Sequence, residues 1–160
     1  MKIIAFVGNS GSGKTRLIRR LVPELKKRGL SVAVIKHCGH GFDLGGEEKD
    51  SSQFLASGAD GVALLSPERT AIIQRNGNEM NFRALARDSF PTADMVLVEG
   101  GRKDQGLKKI EVLRRGVSDG VQTSAQELAA VVADFDVRCQ APVFHPENVA
   151  KIADWLEGGF

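Results

Sequence analysis

Gly8, Gly13, Lys14 and Thr15 stand in the spacing G-x-x-x-x-G-K-[ST] near the start of the chain. In that pattern a glycine-rich turn between a strand and a helix cradles phosphate groups. Each residue type has a physical reason. Amides from Gly11 to Thr15 reach phosphate oxygens only where side chains stay out of the way, and Gly11 adds a further small residue to the turn. The N-terminus of the following helix contributes its positive dipole end. Lys14 supplies a point charge for the β- and γ-phosphates, and Thr15 a hydroxyl for Mg²⁺. The candidate nucleotide-binding residues are therefore Gly8, Asn9, Ser10, Gly11, Ser12, Gly13, Lys14 and Thr15, with Arg16 just beyond; Lys14 is also the first candidate for catalysis. The dinucleotide pattern G-x-G-x-x-G does not fit, because Gly11-Ser12-Gly13 runs on into Lys14, Thr15 and Arg16.

A nucleotide–magnesium site takes a second acid from the tip of a neighbouring apolar strand. The stretch "MVLVEGG" offers Glu99, so Thr15 and Glu99 are the expected metal-side residues. The segment His37–Asp50 is a long, glycine-rich loop carrying His37, His40, Asp43, Lys49 and Asp50, with Lys36 just before it. In a phosphate-loop fold such a loop lies beside the γ-phosphate and can act as a switch. His37 and His40 have three readings: metal ligands, proton carriers or solvated loop residues. Asp43 and Asp50 are candidates to hold magnesium through water or to orient the attacking water. Each is equally a candidate helix cap, Asp50 especially. The N-K-x-D pattern of many GTPases is absent. Were the base guanine, a carboxylate would suit its paired N1–H and 2-amino donors. Asp134 is the best-placed residue for that role, with Asp136 beside it, and an aspartate in an ordinary turn is the alternative for both.

These residues need elements to hold them. Lys2–Val7 reads as a buried strand ended by Gly8. Lys14–Arg28 reads as a helix with Leu17, Ile18, Leu21, Val22 and Leu25 on one face and Gly29 as its cap. Pro23, past the first turn, predicts a kink or a slipped backbone bond. Further strands are expected at Ser31–Lys36, Gly61–Leu65, Thr70–Gln74, Met95–Glu99, Ile110–Leu113 and Leu128–Ala133. Helices are expected at Ser51–Ser57, Phe82–Asp88 and Glu147–Leu156. Asn76-Gly77 is a turn signal. Apolar strands alternating with helices predict an α/β fold, a three-layer sandwich of the phosphate-loop NTPase type around a mostly parallel sheet. Strand C-termini and their loops then meet at one edge. Only Thr70–Asn78 breaks the alternation, as an antiparallel addition or a protrusion.

At 160 residues the chain is expected to form a single domain, residues 1–160. A net charge of +2 argues against a nucleic-acid partner. Lys26-Lys27-Arg28 sits where a helix should end and complements its dipole. The two cysteines, Cys38 and Cys139, form no C-x-x-C pair, which argues against a zinc ribbon. The apolar run Ile3–Val7 is too short for a signal core or a membrane span. The expectation is a cytoplasmic protein with reduced thiols and no membrane partner.

The segments "FVGNSGSGKTRLIRRLVPELKKRGLSVAVIKHCGHGFD", "KDSSQFLASGA", "DMVLVEGGRK" and "KIEVLR" together resemble the molybdopterin-guanine dinucleotide biosynthesis protein B family. The specific parts are "IKHCGH" after the second strand, "KDS" opening the next helix and "LVEGG" at the acid-tipped strand. The resemblance implies a GTP-binding, weakly hydrolytic homodimer with GTP and Mg²⁺ as cofactors. It implies an accessory role to the molybdopterin guanylyltransferase, with molybdopterin as a further ligand. It places the nucleotide site at Gly8–Thr15 with Glu99 as the acid, and matches Lys36, His37 and Asp50 to the loop motif. The chain departs from the family pattern at Gly39, where a histidine is usual, at Glu48, where a glycine is usual, and at Gly101, where an aromatic follows the acid and its glycine.

Two other classes remain open on the residues. A small-molecule kinase needs an arginine-rich lid, and Arg69 and Arg75 are isolated in sequence. A nucleotide-dependent adaptor that hardly turns over needs only the grip on GTP.

Overall fold

The computed structural model describes residues 1–42, 50–75 and 81–159. Asp43, Lys49 and the Asn76-Gly77 turn signal lie outside them. The chain divides into two compact units, Met1–His37 with Phe82–Phe160, and Cys38–Asn81.

The larger unit holds strands β1 (Lys2–Val7) and β2 (Val32–Lys36) and helices α1 (Lys14–Lys27), α3 (Phe82–Ser89) and α4 (Val149–Gly158). It also holds strands β5 (Met95–Glu99), β6 (Lys108–Leu113), β7 (Leu128–Ala133) and β8 (Val143–Phe144). The six strands run in the order β2-β5-β1-β6-β7-β8, and every pairing is parallel. The reason is in the strand sequences. Ile4 to Val7, Met95 to Val98 and Ala130 to Ala133 are each buried along their length. A strand buried on both faces needs a layer on each side. One layer is α1 with α4, whose Leu17, Ile18, Leu21, Leu25, Ile152 and Leu156 pack on Ile4, Phe6 and Leu97. The other is α3, whose Phe82 and Ala86 pack with Ala5, Val7, Val96 and Val98. Each fully buried large aliphatic side chain contributes about 1.5–3 kcal/mol.

Helix α1 ends as the sequence asks. The Gly29 N–H donates to Lys26 O and the Leu30 N–H to Leu25 O, with Gly29 at φ +83°, which is the Schellman arrangement. The helix runs unbroken through Pro23, which lies on its exposed face. Arg28 ties α1 to α4 through Asp154 (2.5 Å) and Glu157 (3.2 Å). Strand β8 and the polar start of β6 at Lys108 were not expected from the sequence. Helix α4 begins at Val149, not Glu147.

The smaller unit contains α2 (Asp50–Ala56) and an antiparallel pair, β3 (Gly61–Leu65) and β4 (Thr70–Gln74). This pair forms its own two-stranded sheet, which resolves the expected break in alternation. Asp50 is the first residue of α2, so it sits inside the helix's first turn where its charge complements the dipole.

Among the described residues, no helix is long and apolar enough to cross a membrane.

Candidate functional site

The turn between β1 and α1 is shaped by its glycines. A Cβ on Gly8 would stand 2.3 Å from Val112 O and 2.7 Å from Ser12 Oγ, so no larger residue fits. Gly11 and Gly13 have φ of +77° and +97°, the left-handed region that L side chains avoid. Asn9 anchors the loop by donating from Nδ2 to Val117 O at 2.9 Å. Arg114 donates from Nη1 to Gly11 O at 3.3 Å. Ser10 is exposed, and Ser12 is 4 % exposed with an Oγ that has no partner among the described residues.

The helix that follows has an uncapped N-terminus. Gly13 occupies the N-cap position, no side chain caps the helix, and its first turn holds no acid. The first amides of α1 and the positive dipole end are thus left for an external anion. Lys14 folds back over the loop, donating from Nζ to Gly8 O (2.9 Å) and Asn9 O (2.8 Å). Burial pushes its amine below the ordinary value; Glu99 opposes this, and the charges of Arg102 and Lys36 add to it. The group is an under-neutralised cation beside uncapped amides, which is the environment a polyphosphate would relieve.

Thr15 donates from Oγ1 to Glu99 Oε1 at 2.7 Å. The pairing Phe6↔Glu99 between β1 and β5 explains it: the acid stands at the sheet edge level with the start of the loop. Lys36 Nζ lies 3.8 Å from the same oxygen, with Lys36↔Glu99 paired across β2 and β5. Hydroxyl and carboxylate are oxygen ligands of the kind Mg²⁺ takes. Among the described residues no group of three or more His, Cys, Asp or Glu could hold a metal ion. A magnesium ion here would complete its shell with phosphate oxygens and water.

The other expected residues are distributed. The His37 N–H donates to Glu99 O at 2.9 Å, and its ring meets the Phe82 ring edge-on with centroids 5.8 Å apart. Arg16 pairs with Glu147 at 3.2 Å, as Arg20 does at 2.9 Å. A cavity of about 190 Å³ opens beside the loop, lined by Ser12, Gly13, Arg16, Arg114, Asp134 and Glu147 among others. Asp134 Oδ1 accepts the Arg115 N–H at 2.7 Å. Asp136 lines an adjoining depression with Phe135 and Val137, which Asp134 borders too. Asp50 and His40 belong to the smaller unit, and Asp43 lies outside the described residues.

Sequence reasoning missed Arg102, Glu111 and Lys109. Glu111 is fully buried and Lys109 is 1 % exposed. The available signal was a pair of charges, two residues apart, in a strand that otherwise reads as core.

The comparisons with known proteins agree with this geometry. The family model of molybdopterin guanine dinucleotide synthesis protein B matches residues 3–134. The molybdopterin-guanine dinucleotide biosynthesis adapter protein of Haemophilus influenzae is 31% identical over 97% of this chain and 87% of its own length. That of Escherichia coli is 28% identical over 96% and 90%. A crystal structure of molybdopterin-guanine biosynthesis protein B superimposes with a TM-score of 0.76 at 29% identity, covering 99% of each chain. With the phosphate-loop turn, the acid-tipped β5 and the parallel sheet all in place, the chain belongs to the molybdopterin guanine dinucleotide synthesis protein B family.

Proposed function

We propose that this protein binds GTP with Mg²⁺ at the Gly8–Thr15 loop and acts as an adapter in the assembly of molybdopterin-guanine dinucleotide. The observation that carries the nucleotide reading is the uncapped N-terminus of α1, with Lys14 folded on the Gly8 and Asn9 carbonyls and Thr15 bonded to Glu99. Lys14 serves the phosphates, Thr15 and Glu99 hold the metal, and Lys36 and His37 border the γ-phosphate side. Asp134, in the wall of the neighbouring cavity, reads the base. Hydrolysis is weak, since an adapter needs the grip on GTP rather than its turnover. Asp43 and Asp50 are the candidates to orient water.

The adapter role follows the names of the Haemophilus and Escherichia relatives. The partner is the guanylyl-transferring enzyme, with molybdopterin as the acceptor it handles. The working form is a homodimer.

The test has two arms. Lys14→Ala removes one charged donor pair, about 1.5–3 kcal/mol or roughly tenfold to over a hundredfold in GTP affinity. Calorimetry on folded protein measures it; unchanged binding overturns the site. Guanylylation reconstituted from purified transferase, molybdopterin and limiting GTP should give more product with this protein than with its Lys14→Ala variant. Equal yields overturn the adapter reading while leaving the site intact.

A further inference from the structure

We propose that Arg102 is a γ-phosphate contact, anchored through Nη1 by Glu111 with its remaining guanidinium donors left for the triphosphate. The inference rests on the nucleotide reading above and adds a residue to it.

Two carboxylates flank β1 at its exit into the loop. Phe6 pairs with Glu99 on one side and Val7 with Glu111 on the other. Glu99 is taken by Thr15 and Lys36. Glu111 takes Arg102, which comes from the loop directly after Glu99. That loop is placed by backbone, not by chance. Gly100 and Gly101 both have positive φ, +100° and +72°, and turn the chain at once. The Gly100 N–H donates to Phe6 O at 3.0 Å. A Cβ on Gly101 would stand 2.9 Å from the Phe82 ring, so the ring seals the turn. The carbonyl of Arg102 is fixed in turn by Lys109 Nζ at 2.9 Å.

The guanidinium itself is loosely held. Its Nη1 alone meets partners: Gln122 Oε1 at 3.0 Å and Glu111 Oε1 at 3.2 Å. A guanidinium has five donors in a flat fork, and among the described residues its Nε and Nη2 bond to nothing. The side chain is 37% exposed. Glu111 is fully buried, and Arg102 is the cation beside its Oε1. Its Oε2 accepts the N–H groups of Gln122 (2.9 Å) and Thr123 (2.8 Å), while Oε1 has no well-aligned hydrogen bond. Breaking that pair would leave a buried carboxylate without its cation, which is costly, so Nη1 stays on Glu111 and the unengaged Nε and Nη2 are the donors left for a ligand. A terminal phosphate offers the planar fork two oxygens at once, the bidentate geometry for which arginine is suited. The field agrees with the placement, since the Arg102 charge reaches Lys14 and lowers its proton affinity.

Equilibrium binding of GTP and of GDP, each with Mg²⁺, to the whole chain tests this. The parent should prefer GTP. Arg102→Ala should lose at least tenfold in GTP affinity and keep GDP affinity within about twofold, whereas Lys14→Ala should lose both. Thermal melts establish that the variants fold. Equal loss for the two nucleotides, or no loss, overturns the role of Arg102. A parent that binds neither nucleotide overturns the nucleotide reading and this inference with it. Should Arg102→Ala not fold, Arg102→Lys retains the charge beside Glu111 but not the fork; its GTP/GDP ratio should fall severalfold, and an unchanged ratio overturns the proposal.

Discussion

Asp134 commits one carboxylate oxygen, Oδ1, to the Arg115 N–H. An asparagine at that position keeps an Oδ1 acceptor for the loop but has no charge for the donor edge of guanine. If Asp134 reads the base, Asp134→Asn should therefore narrow the GTP/ATP affinity ratio by about tenfold, the worth of one charge-assisted hydrogen bond, without lowering the melting temperature. Competition titrations check this, and an unchanged ratio moves base recognition elsewhere in the cavity wall. At this scale the glycine turn was legible because its geometry is local: Gly8, Gly11 and Gly13 shape one short connection between β1 and α1. Arg102 was not legible. Its place depends on Glu111 in a strand across the sheet and on the Phe82 ring behind Gly101, none of which a reading along the chain brings together.

Strand β6 carries a second charged pair whose consequence is a pH dependence. Lys109 Nζ lies 3.0 Å from Glu127 Oε2 and is 2% exposed. Its hydrogen bond, with that of Ser124, holds the Glu127 carboxyl below the ordinary value of 4.5 against a smaller opposing effect of burial. A carboxylate whose native pKa is depressed stabilises the fold above the unfolded value and loses that contribution as pH falls through the native one. Protonation then leaves Lys109 buried and charged without its ion partner. Melting temperatures between pH 7 and pH 3 should fall in the acid range, and Glu127→Gln should melt lower at pH 7 with a shallower acid slope. Parallel slopes would remove the pair from the account. The elements themselves were read well where apolar residues run on, as in β1, β5 and β7. They were read short where Lys108 and Lys109 open β6, since two lysines look like loop until Gln126 O and Glu127 receive them. The two-residue β8 has too little pattern to be seen at all.

The whole molecule carries apolar surface where the smaller unit ends in two strands. Leu65 is 83% exposed and Ile72 70%; the pairings Leu65↔Thr70 and Ala63↔Ile72 put both on one face of a two-stranded sheet, which is marginal by itself. A second copy covering that face is the expected remedy. Sedimentation velocity should give a dimer, and Leu65→Lys with Ile72→Lys should shift it to monomer; a monomer in the parent refutes the arrangement. The sheet order has a different consequence, for synthesis. Strand β1 emerges from the ribosome well before its two neighbours, β5 and β6, which begin at Met95 and Lys108. At roughly 5–20 residues per second, this interior strand waits on the order of ten seconds without either neighbour. During that wait, Ile3 to Val7 is an unpaired apolar edge on a nascent chain. Its survival in the cell is then a matter of chaperone access and translation speed, set by where the central strand lies in the gene.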